Sequence, residues 1–358
     1  MIRSLLSADY PRSRLVAAIL LAIVLALALA PFLFPGARSL AVAAKILVFV
    51  LLVASYDLLL GYTGIVSFAH TMFFGIGAYG VAIASTRMGP GWDAVALGVA
   101  AALVLSALLA LVIGLFSLRV KAIFFAMITL AVAAAFQTLA SQLSEFTGGE
   151  DGLTFKLPEL LQPSFELFED TVFGVSIDGR LLSYYLLFFA VLVLFLVLLR
   201  IVNSPFGRVL QAIRENDFRA EALGYRTVVY RTLSTVLAAV FATMAGALLA
   251  IWLRYNGPDT TLSFEIMLDT LLIVVIGGMG TMYGAVIGSA LFVFAQSYLQ
   301  DLMGWISAGF EGVPLVAALF SPDRWLLWLG VLFVLSVYYF PAGVVGRLRA
   351  RALAGRRP

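Results

Sequence analysis

The side chains that could do chemistry in this sequence are few, and several lie in one segment, residues 61–70, which reads Gly-Tyr-Thr-Gly-Ile-Val-Ser-Phe-Ala-His. Ser67 and His70 lie three positions apart, so a helix would place them on one face, as a serine nucleophile and its histidine base require. Neither a third group that would orient the base nor a nucleophile turn accompanies them. A hydrolase is therefore a poor fit. A single histidine is more often a hydrogen-bonded brace between helices than a ligand or a proton carrier.

Residue types that the sequence lacks exclude other catalytic and metal-binding chemistry. It has no cysteine, which excludes disulfides, zinc–thiolate sites and thiol chemistry, and its single histidine excludes multi-histidine metal sites. It also has no Gly-x-x-x-x-Gly-Lys-Ser/Thr phosphate loop, so the chain does not hydrolyse nucleotide itself. We therefore predict no catalytic residue, no metal site and no cofactor in this chain.

The remaining polar groups are side-chain hydroxyls and the backbone groups that a break in a helix leaves without a hydrogen bond. Two glycine-rich stretches, residues 61–80 and 277–288, interrupt apolar runs. A broken helix inside a membrane is tolerated only against protein or a water-lined cavity, and matching breaks in the two halves of a transporter point to its pathway. The alternative is close helix packing, which we favour for Gly75, Gly77, Gly284 and Gly288. The predicted substrate pathway comprises Gly61, Tyr62, Gly64, Ser67, His70, Gly277, Gly278 and Gly280.

The composition is that of a membrane protein. Hydrophobic residues make up 63% of the chain and charged residues 12%, with a mean hydropathy of +1.05. Soluble domains are about 25% charged, so lipid must be the solvent of this chain. The net charge of +3 does not indicate nucleic acid, because the basic residues flank apolar runs, where membrane orientation explains them.

Apolar runs long enough to cross a bilayer recur along the whole chain. A helix of about 20 residues spans the hydrocarbon core, and by that measure we predict an all-α, polytopic protein with about ten transmembrane helices. The first run follows Arg12 and Arg14 and is too long for a signal-peptide core, so we interpret it as a retained span with a cytoplasmic N-terminus. The predicted spans are 15–34, 40–60, 66–86, 92–117, 122–140, 182–201, 232–253, 265–283, 284–300 and 324–340.

The distribution of charge predicts the orientation. Residues 141–181 form an acidic loop with eight acidic residues, whereas residues 203–231 carry five arginines and three acids. The tail, residues 342–358, carries five arginines and no acid. Basic segments favour the cytoplasmic side. Ten spans with both termini in the cytoplasm place the loop outside and both basic segments inside, within one transmembrane domain covering residues 1–358.

Three charged residues, Lys45, Asp57 and Asp269, fall within predicted spans. A charge at the bilayer centre costs roughly 2.5–3.5 kcal/mol on insertion scales, which makes such residues functional candidates. Each of these three lies within about two helical turns of a span end. We therefore predict structural roles for them, with Lys45 reaching the membrane interface through its long side chain.

The basic segment 203–231 has the pattern of a short amphipathic helix pair. Ser204 can cap a helix and Pro205 fits its first turn. Phe206, Val209, Leu210 and Ile213 follow the i, i+3, i+4, i+7 spacing of one apolar stripe. The polar face mixes both signs of charge, which favours docking of a soluble partner over the alternative of a helix lying on lipid headgroups.

Seen together, these motifs resemble the permease subunits of bacterial ABC importers for branched-chain amino acids, of the LivM kind. The likeness covers most of the chain, and its strongest part is Ser-Pro-Phe-Gly-Arg at 204–208 with the residues up to Gly224. The other matching segments are 60–64 with Ser67 and His70, 73–79, 118–119 with 125–130, 147–153 and 277–284.

The resemblance implies a location in the bacterial inner membrane and a set of partners. These are membrane lipid, a related permease that completes a heterodimer, a periplasmic solute-binding protein, and two cytoplasmic ATPase subunits that carry ATP–Mg. It also implies that residues 203–231 form a coupling segment that seats in an ATPase cleft. The predicted coupling residues are Pro205, Phe206, Arg208, Ile213, Arg214, Glu215, Glu221 and Gly224.

The expected cargo is leucine, isoleucine or valine, but two departures leave the substrate open. Members of the family often carry Gln where this chain has Ile65, and Gly where it has Ala69. Urea, short amides and other small carboxylates are the alternative cargoes. A stand-alone carrier or channel is the alternative from another class, although such carriers usually need carboxylates deep in their spans.

Overall fold

The computed structural model describes residues 14–34, 36–116, 122–166, 176–309, 319–340, 343, 345 and 346. Residues 117–121, part of the acidic loop and nearly all of the basic tail lie outside these residues. The helices are α1 (Arg14–Ala28), α2 (Ala30–Leu33), α3 (Ala37–Asp57), α4 (His70–Met88), α5 (Trp92–Phe116), α6 (Ala122–Gln142), α7 (Ser144–Thr147), α8 (Gly179–Val202), α9 (Pro205–Glu215), α10 (Asp217–Ala222), α11 (Thr227–Leu253), α12 (Pro258–Thr261), α13 (Phe264–Gly277), α14 (Met282–Gly309) and α15 (Trp325–Tyr339).

Other regular structure is short. A π-helix, Leu58–Thr63, continues α3. Two strands, β1 (Leu153–Thr154) and β2 (Tyr255–Asn256), pair antiparallel with Leu153 opposite Asn256. The 3₁₀ turns are Gly149–Asp151, Glu159–Leu161 and Pro322–Arg324.

The predicted all-α, polytopic class is confirmed. Seven helical stretches of the described residues are long and apolar enough to cross a membrane. The predicted spans 15–34, 66–86 and 324–340 coincide with α1, α4 and α15, which are shorter or less apolar, so the count of ten stays a prediction. The seven stretches are Ala37–Thr63, Trp92–Phe116, Ile123–Gln142, Gly179–Val202, Thr227–Leu253, Pro258–Gly277 and Met282–Gly309.

Two predicted span boundaries are wrong, and glycine is the reason for one of them. The predicted span 265–283 ends at Gly277, because Gly278 and Gly280 have φ angles of 114° and 76°, which stop a right-handed helix. The predicted span 66–86 begins only at His70, since the backbone before it is not helical.

The acidic loop and the coupling segment lie at opposite ends of the bundle. Helix α8 runs from the loop to the coupling segment, and α11 runs from the coupling segment back to β2, which pairs with the loop strand β1. The loop is tied down locally, since Arg87 Nη2 donates to the Glu145 carbonyl at 2.9 Å and Arg254 Nη2 donates to the Leu161 carbonyl at 2.8 Å. We call these two ends the loop end and the coupling end.

Close packing through glycine builds the core of the bundle. Helix α11 packs against α3, α4 and α5. A methyl group on Gly77 would overlap the Thr243 carbonyl, and one on Gly246 would overlap the Phe74 carbonyl, so the backbones of α4 and α11 touch. Gly288 approaches the Ile273 carbonyl in the same way. The packing role that we predicted for Gly75, Gly77, Gly284 and Gly288 is confirmed.

Candidate functional site

The first glycine segment, residues 61–69, begins inside the π-helix at the coupling end. Gly64 ends this helix in the left-handed conformation, with a φ of 76°. The amides of Gly64 and Ile65 both donate to the Leu59 carbonyl. From Ile65 to Ala69 the backbone has no regular structure, until α4 begins at His70. π-Helices are rare and are frequently found at functional sites.

The backbone groups of this segment are only partly satisfied. The Phe68 amide donates to Thr129 Oγ1 of α6 at 3.0 Å. Within the described part of the chain, the carbonyl groups of residues 64–68 accept no hydrogen bond. Gly64 is exposed, Ile65, Val66 and Phe68 are partly exposed and Ser67 is buried, so most of this segment borders open space. Unpaired backbone at this position requires water, a solute or another chain as its partner.

The second glycine segment, residues 277–281, connects α13 to α14. The Gly278 amide donates to the Val274 carbonyl at 2.9 Å, and Thr281 Oγ1 donates to the Gly278 carbonyl at 2.7 Å. A methyl group on Gly277 would overlap the carbonyl of Gly284, so the two helices leave this turn almost in backbone contact. The turn is therefore tightly closed and needs glycine at these positions.

The two glycine segments contact each other through Asp57, the last residue of α3. Asp57 Oδ1 accepts a hydrogen bond from the Gly280 amide at 2.9 Å. A methyl group on Gly61 would collide with both the Asp57 carboxylate and the Gly280 amide. The structural role that we predicted for Asp57 is thus confirmed, since its buried carboxylate joins two distant parts of the chain.

Arg214, in the last turn of α9, connects the coupling segment to the two glycine segments. Its Nη1 donates to the Gly61 carbonyl. A methyl group on Gly64 would lie 3.2 Å from Arg214 Cγ, and one on Gly280 would lie 2.9 Å from Arg214 Nη1. We call Asp57, Gly61, Gly64, Arg214 and Gly280 the glycine junction. Three distant parts of the sequence meet there.

The coupling segment folds as two short helices that turn their apolar stripe inward. Val209, Leu210 and Ile213 are buried, and the ring of Phe206 stacks on that of Tyr230 with centroids 5.6 Å apart. Ser204 occupies the N-cap position, but its hydroxyl donates to the Ile201 carbonyl at 2.6 Å and does not cap α9, so that prediction is wrong. Pro205 fits the first turn as predicted.

The outward face of the coupling segment carries residues that the sequence analysis missed. Phe218 is 82% exposed and Leu223 is 72% exposed. Leu223 and Tyr225 line a groove of about 340 Å³ beside α9 and α10. The sequence did contain a signal for these two residues, because Phe218 and Leu223 are apolar but do not fit the spacing of the buried stripe.

The predicted coupling residues divide between the two faces. Glu221 Oε1 accepts from Thr227 Oγ1 at 2.7 Å and so ties α10 to α11. Ile213 and Phe206 belong to the inward face, and Arg214 belongs to the glycine junction. Arg214 and Glu221 are also exposed, and the remaining exposed residues of the predicted set are Pro205, Arg208, Glu215 and Gly224.

His70 braces α4 against α3, as predicted. Its Nε2 lies 2.8 Å from Ser55 Oγ, and that hydroxyl donates to the Leu52 carbonyl at 2.7 Å. Nε2 therefore donates to Ser55. Ser67 makes no hydrogen bond to His70, and its Oγ accepts from the Ala69 amide at 3.4 Å. The two residues do not form a nucleophile–base pair.

The comparison with known families decides the identity. The sequence model of the family described as "Branched-chain amino acid transport system / permease component" matches residues 38–337. The chain belongs to this family. The resemblance seen in the sequence is thereby confirmed, and the chain is a multi-pass membrane protein of the permease type.

Individual relatives of the permease agree with this assignment. The chain is 25% identical to the high-affinity branched-chain amino acid transport system permease protein LivM of Salmonella typhimurium, over 80% of this chain and 69% of the relative. It is 25% identical to LivM of Escherichia coli K12 over 79% of this chain and 68% of the relative. It is 24% identical to LivH of Escherichia coli K12 over 84% of this chain and 91% of the relative. No solved structure matches the chain.

The charged residues inside the helices of the permease form a network. Lys45 Nζ donates to Gln296 Oε1 at 2.8 Å, and Gln296 Nε2 donates to Asp269 Oδ2 at 3.1 Å. Lys45 therefore bonds to a neighbouring helix, and its reach to the membrane interface stays a prediction. A structural role for Lys45 and Asp269 is confirmed, since the network joins α3, α13 and α14. In the described residues, no cluster of three or more His, Asp or Glu could hold a metal ion.

Proposed function

We propose that this chain is a membrane-spanning subunit of an ATP-driven importer whose cargo is leucine, isoleucine and valine. The family assignment and the printed functions of the LivM and LivH relatives support the cargo. The observation that carries the mechanism is the coupling segment, which buries its stripe against the bundle and exposes Phe218 and Leu223 to a partner. An exposed aromatic side chain of this kind is a strong anchor when it fills a pocket on a partner protein.

The family assignment supports the proposed partners, and the coupling segment offers a surface for one of them. Two ATPase subunits bind ATP–Mg on the cytoplasmic side, and one of them receives Phe218, Leu223 and the charged residues Arg208 and Glu215. A related permease completes the heterodimer, and a periplasmic solute-binding protein delivers the cargo to the loop end. In this orientation the coupling end and both termini face the cytoplasm of a bacterial inner membrane.

The first glycine segment forms half of the proposed substrate pathway. Its free carbonyl groups at residues 64–68 can accept hydrogen bonds from the ammonium group of an amino acid. Phe68, within this segment, lies with its ring centroid 6.2 Å from that of Phe264, and the two rings provide an apolar surface for a branched side chain. The sister permease supplies the other half, because this surface is partly exposed in the single chain.

Reconstitution tests the proposal. The chain is co-expressed with the ATPases, the sister permease and the binding protein encoded beside it, and the complex is placed in vesicles. ATP-dependent uptake of labelled leucine, isoleucine and valine, with no uptake of urea or acetamide, is the expected result. Preferred uptake of urea or acetamide would show that one of these compounds, and not a branched-chain amino acid, is the cargo. Gradient-driven uptake by this chain alone would contradict the importer assignment and favour a stand-alone carrier.

A further inference from the structure

We propose that Arg214 is the positioning residue that holds the pathway closed at the coupling end and releases it when the coupling segment moves. This inference rests on the proposed function of the coupling segment. It adds the atoms through which a movement of α9 reaches the two glycine segments.

Arg214 is placed to make this connection by its position on α9. Within the described residues, it is the one side chain of the coupling segment that bonds to a glycine segment. Its hydrocarbon stem passes Gly64, while its Nη1 reaches both the Gly61 carbonyl and the vicinity of Gly280. A guanidinium group suits this position because it offers five donors in a rigid plane at the end of a long stem.

The other contacts between α9 and the bundle differ in kind. Val209, Leu210 and Ile213 make apolar contacts, which do not depend on a narrow range of angles, and these contacts hold α9 near the bundle. The bond from Arg214 to Gly61 is directional and breaks with a small displacement, because hydrogen bonds weaken steeply outside a narrow range of distance and angle. A shift of α9 that keeps the apolar contacts can therefore still release the Gly61 carbonyl.

The glycine junction explains why release would open the pathway. Arg214 lies over Gly64 and beside Gly280, so its partly exposed side chain covers the contact between the two glycine segments from the coupling end. Gly64 begins the run of backbone carbonyls, residues 64–68, that have no partner in the described chain. Withdrawal of Arg214 frees the Gly61 carbonyl and the position over Gly64, where this run begins, and leaves the segments joined by the bond from Gly280 to Asp57. The pathway then gains an exit lined by polar backbone.

The chain contains no cysteine, so a single cysteine introduced into it is the one position of this chain that a maleimide can label. A single cysteine at the partly exposed Val66 reports access to the first glycine segment, and one at the exposed Gln211 reports which side of the membrane the reagent reaches. Inside-out vesicles that contain the whole importer are treated, without ATP, with a maleimide that does not cross membranes. The labelling rate of Val66→Cys is compared in the wild-type, Arg214→Ala, Arg214→Lys and Arg226→Ala backgrounds.

Arg214→Ala is expected to raise the labelling rate about tenfold, the size of effect that the loss of one hydrogen bond from a charged group produces. Arg214→Lys keeps a single cationic donor and should give an intermediate rate. Arg226→Ala removes an exposed arginine of the same segment and should leave the rate unchanged. Uptake per ATP hydrolysed is measured in parallel and should fall in Arg214→Ala, which a purely structural anchor would not produce at constant protein yield.

Two results would contradict the inference. An unchanged labelling rate in Arg214→Ala, or an equal rise in Arg226→Ala, overturns the inference. If Arg214→Ala is not recovered as a folded protein, Arg214→Gln provides the same comparison with a smaller change. If the wild-type complex takes up no amino acid while Arg214→Ala still raises the rate, the proposed function fails and the closing role of Arg214 stands.

Discussion

The carboxylate of Asp57 accepts a hydrogen bond from the backbone amide of Gly280 at 2.9 Å, across 223 positions of sequence. This bond joins the end of α3 to the turn between α13 and α14, and Gly61 fits into the contact because it has no side chain. The two glycine segments are therefore one structural unit. Any movement of one of them at the coupling end must either carry the other along or break this bond.

Replacing Asp57 tests how much of the stability of this unit depends on the carboxylate. Asp57→Ala leaves the Gly280 amide without its acceptor in a buried place, which costs about 1–3 kcal/mol. We expect a lower midpoint in thermal unfolding of the detergent-solubilised protein. Asp57→Asn keeps an acceptor oxygen of the same reach and is the matched control, with a smaller loss. Equal midpoints for the alanine variant and the wild type would show that the bond contributes nothing to stability.

A side chain at Gly61 should be more damaging than one at a glycine with free space around it. In Gly61→Ala the methyl group meets the Gly280 amide and the Asp57 carboxylate, and at least the amide is backbone that cannot rotate away. Overpacking of this kind costs about 1–3 kcal/mol. Uptake and thermal stability of the reconstituted complex should both fall.

Gly330→Ala is the matched control for this glycine, because nothing lies within 4 Å of the position that its methyl group would take. It should be neutral or slightly stabilising, since alanine is the better helix former. If Gly61→Ala behaves like Gly330→Ala in both measurements, the close approach at the glycine junction is not required.

The contact between Ser55 and His70 predicts that removing the serine hydroxyl lowers the stability of the protein. Ser55→Ala removes the acceptor of His70 Nε2 inside the core, and an unsatisfied buried donor costs about 1–3 kcal/mol. The thermal midpoint should fall accordingly. Thr86→Ala, at an exposed position of the same helix α4, should change it little. A midpoint that is the same in both variants would contradict the brace.

The helices and the role of His70 were predictable because their causes are local or compositional. Apolar length predicts membrane helices, and a lone histidine in an apolar surrounding needs a partner, which Ser55 provides. The bond from Asp57 to Gly280 was not predictable, since nothing near either residue in sequence indicates the other. The π-helix at Leu58–Thr63 also carries no local signal, because its pattern of apolar residues is the same as that of the α-helix before it.

The two faces of the coupling segment show where the sequence was informative and where it was incomplete. The spacing of Val209, Leu210 and Ile213 predicted one apolar stripe, and that stripe is buried against the bundle. Spacing alone could not tell whether the stripe faces the bundle or the partner. For that reason Phe206 and Ile213 were included among the residues expected to contact the ATPase, while Phe218 and Leu223 were missed.

Phe218 should be the main anchor for the proposed ATPase partner. It is the most exposed large apolar side chain of the described residues, at 82%, and Leu223 lies in the same short helical region. Truncating an aromatic anchor at an interface typically costs 2 kcal/mol or more, which corresponds to an affinity loss of about thirtyfold. Phe218→Ala should therefore weaken binding of the ATPase subunits to the purified permease, measured by titration, without changing its thermal midpoint.

Two control variants separate this docking role from a general effect of losing an aromatic side chain. Trp305→Ala removes a ring that is 80% exposed near the end of α14, far along this helix from the second glycine segment, and should leave ATPase binding unchanged. Phe206→Ala removes a ring that stacks on Tyr230 inside the segment, so it should lower the thermal midpoint as well as the affinity. Undiminished ATPase binding by Phe218→Ala would show that the partner does not use Phe218 as an anchor.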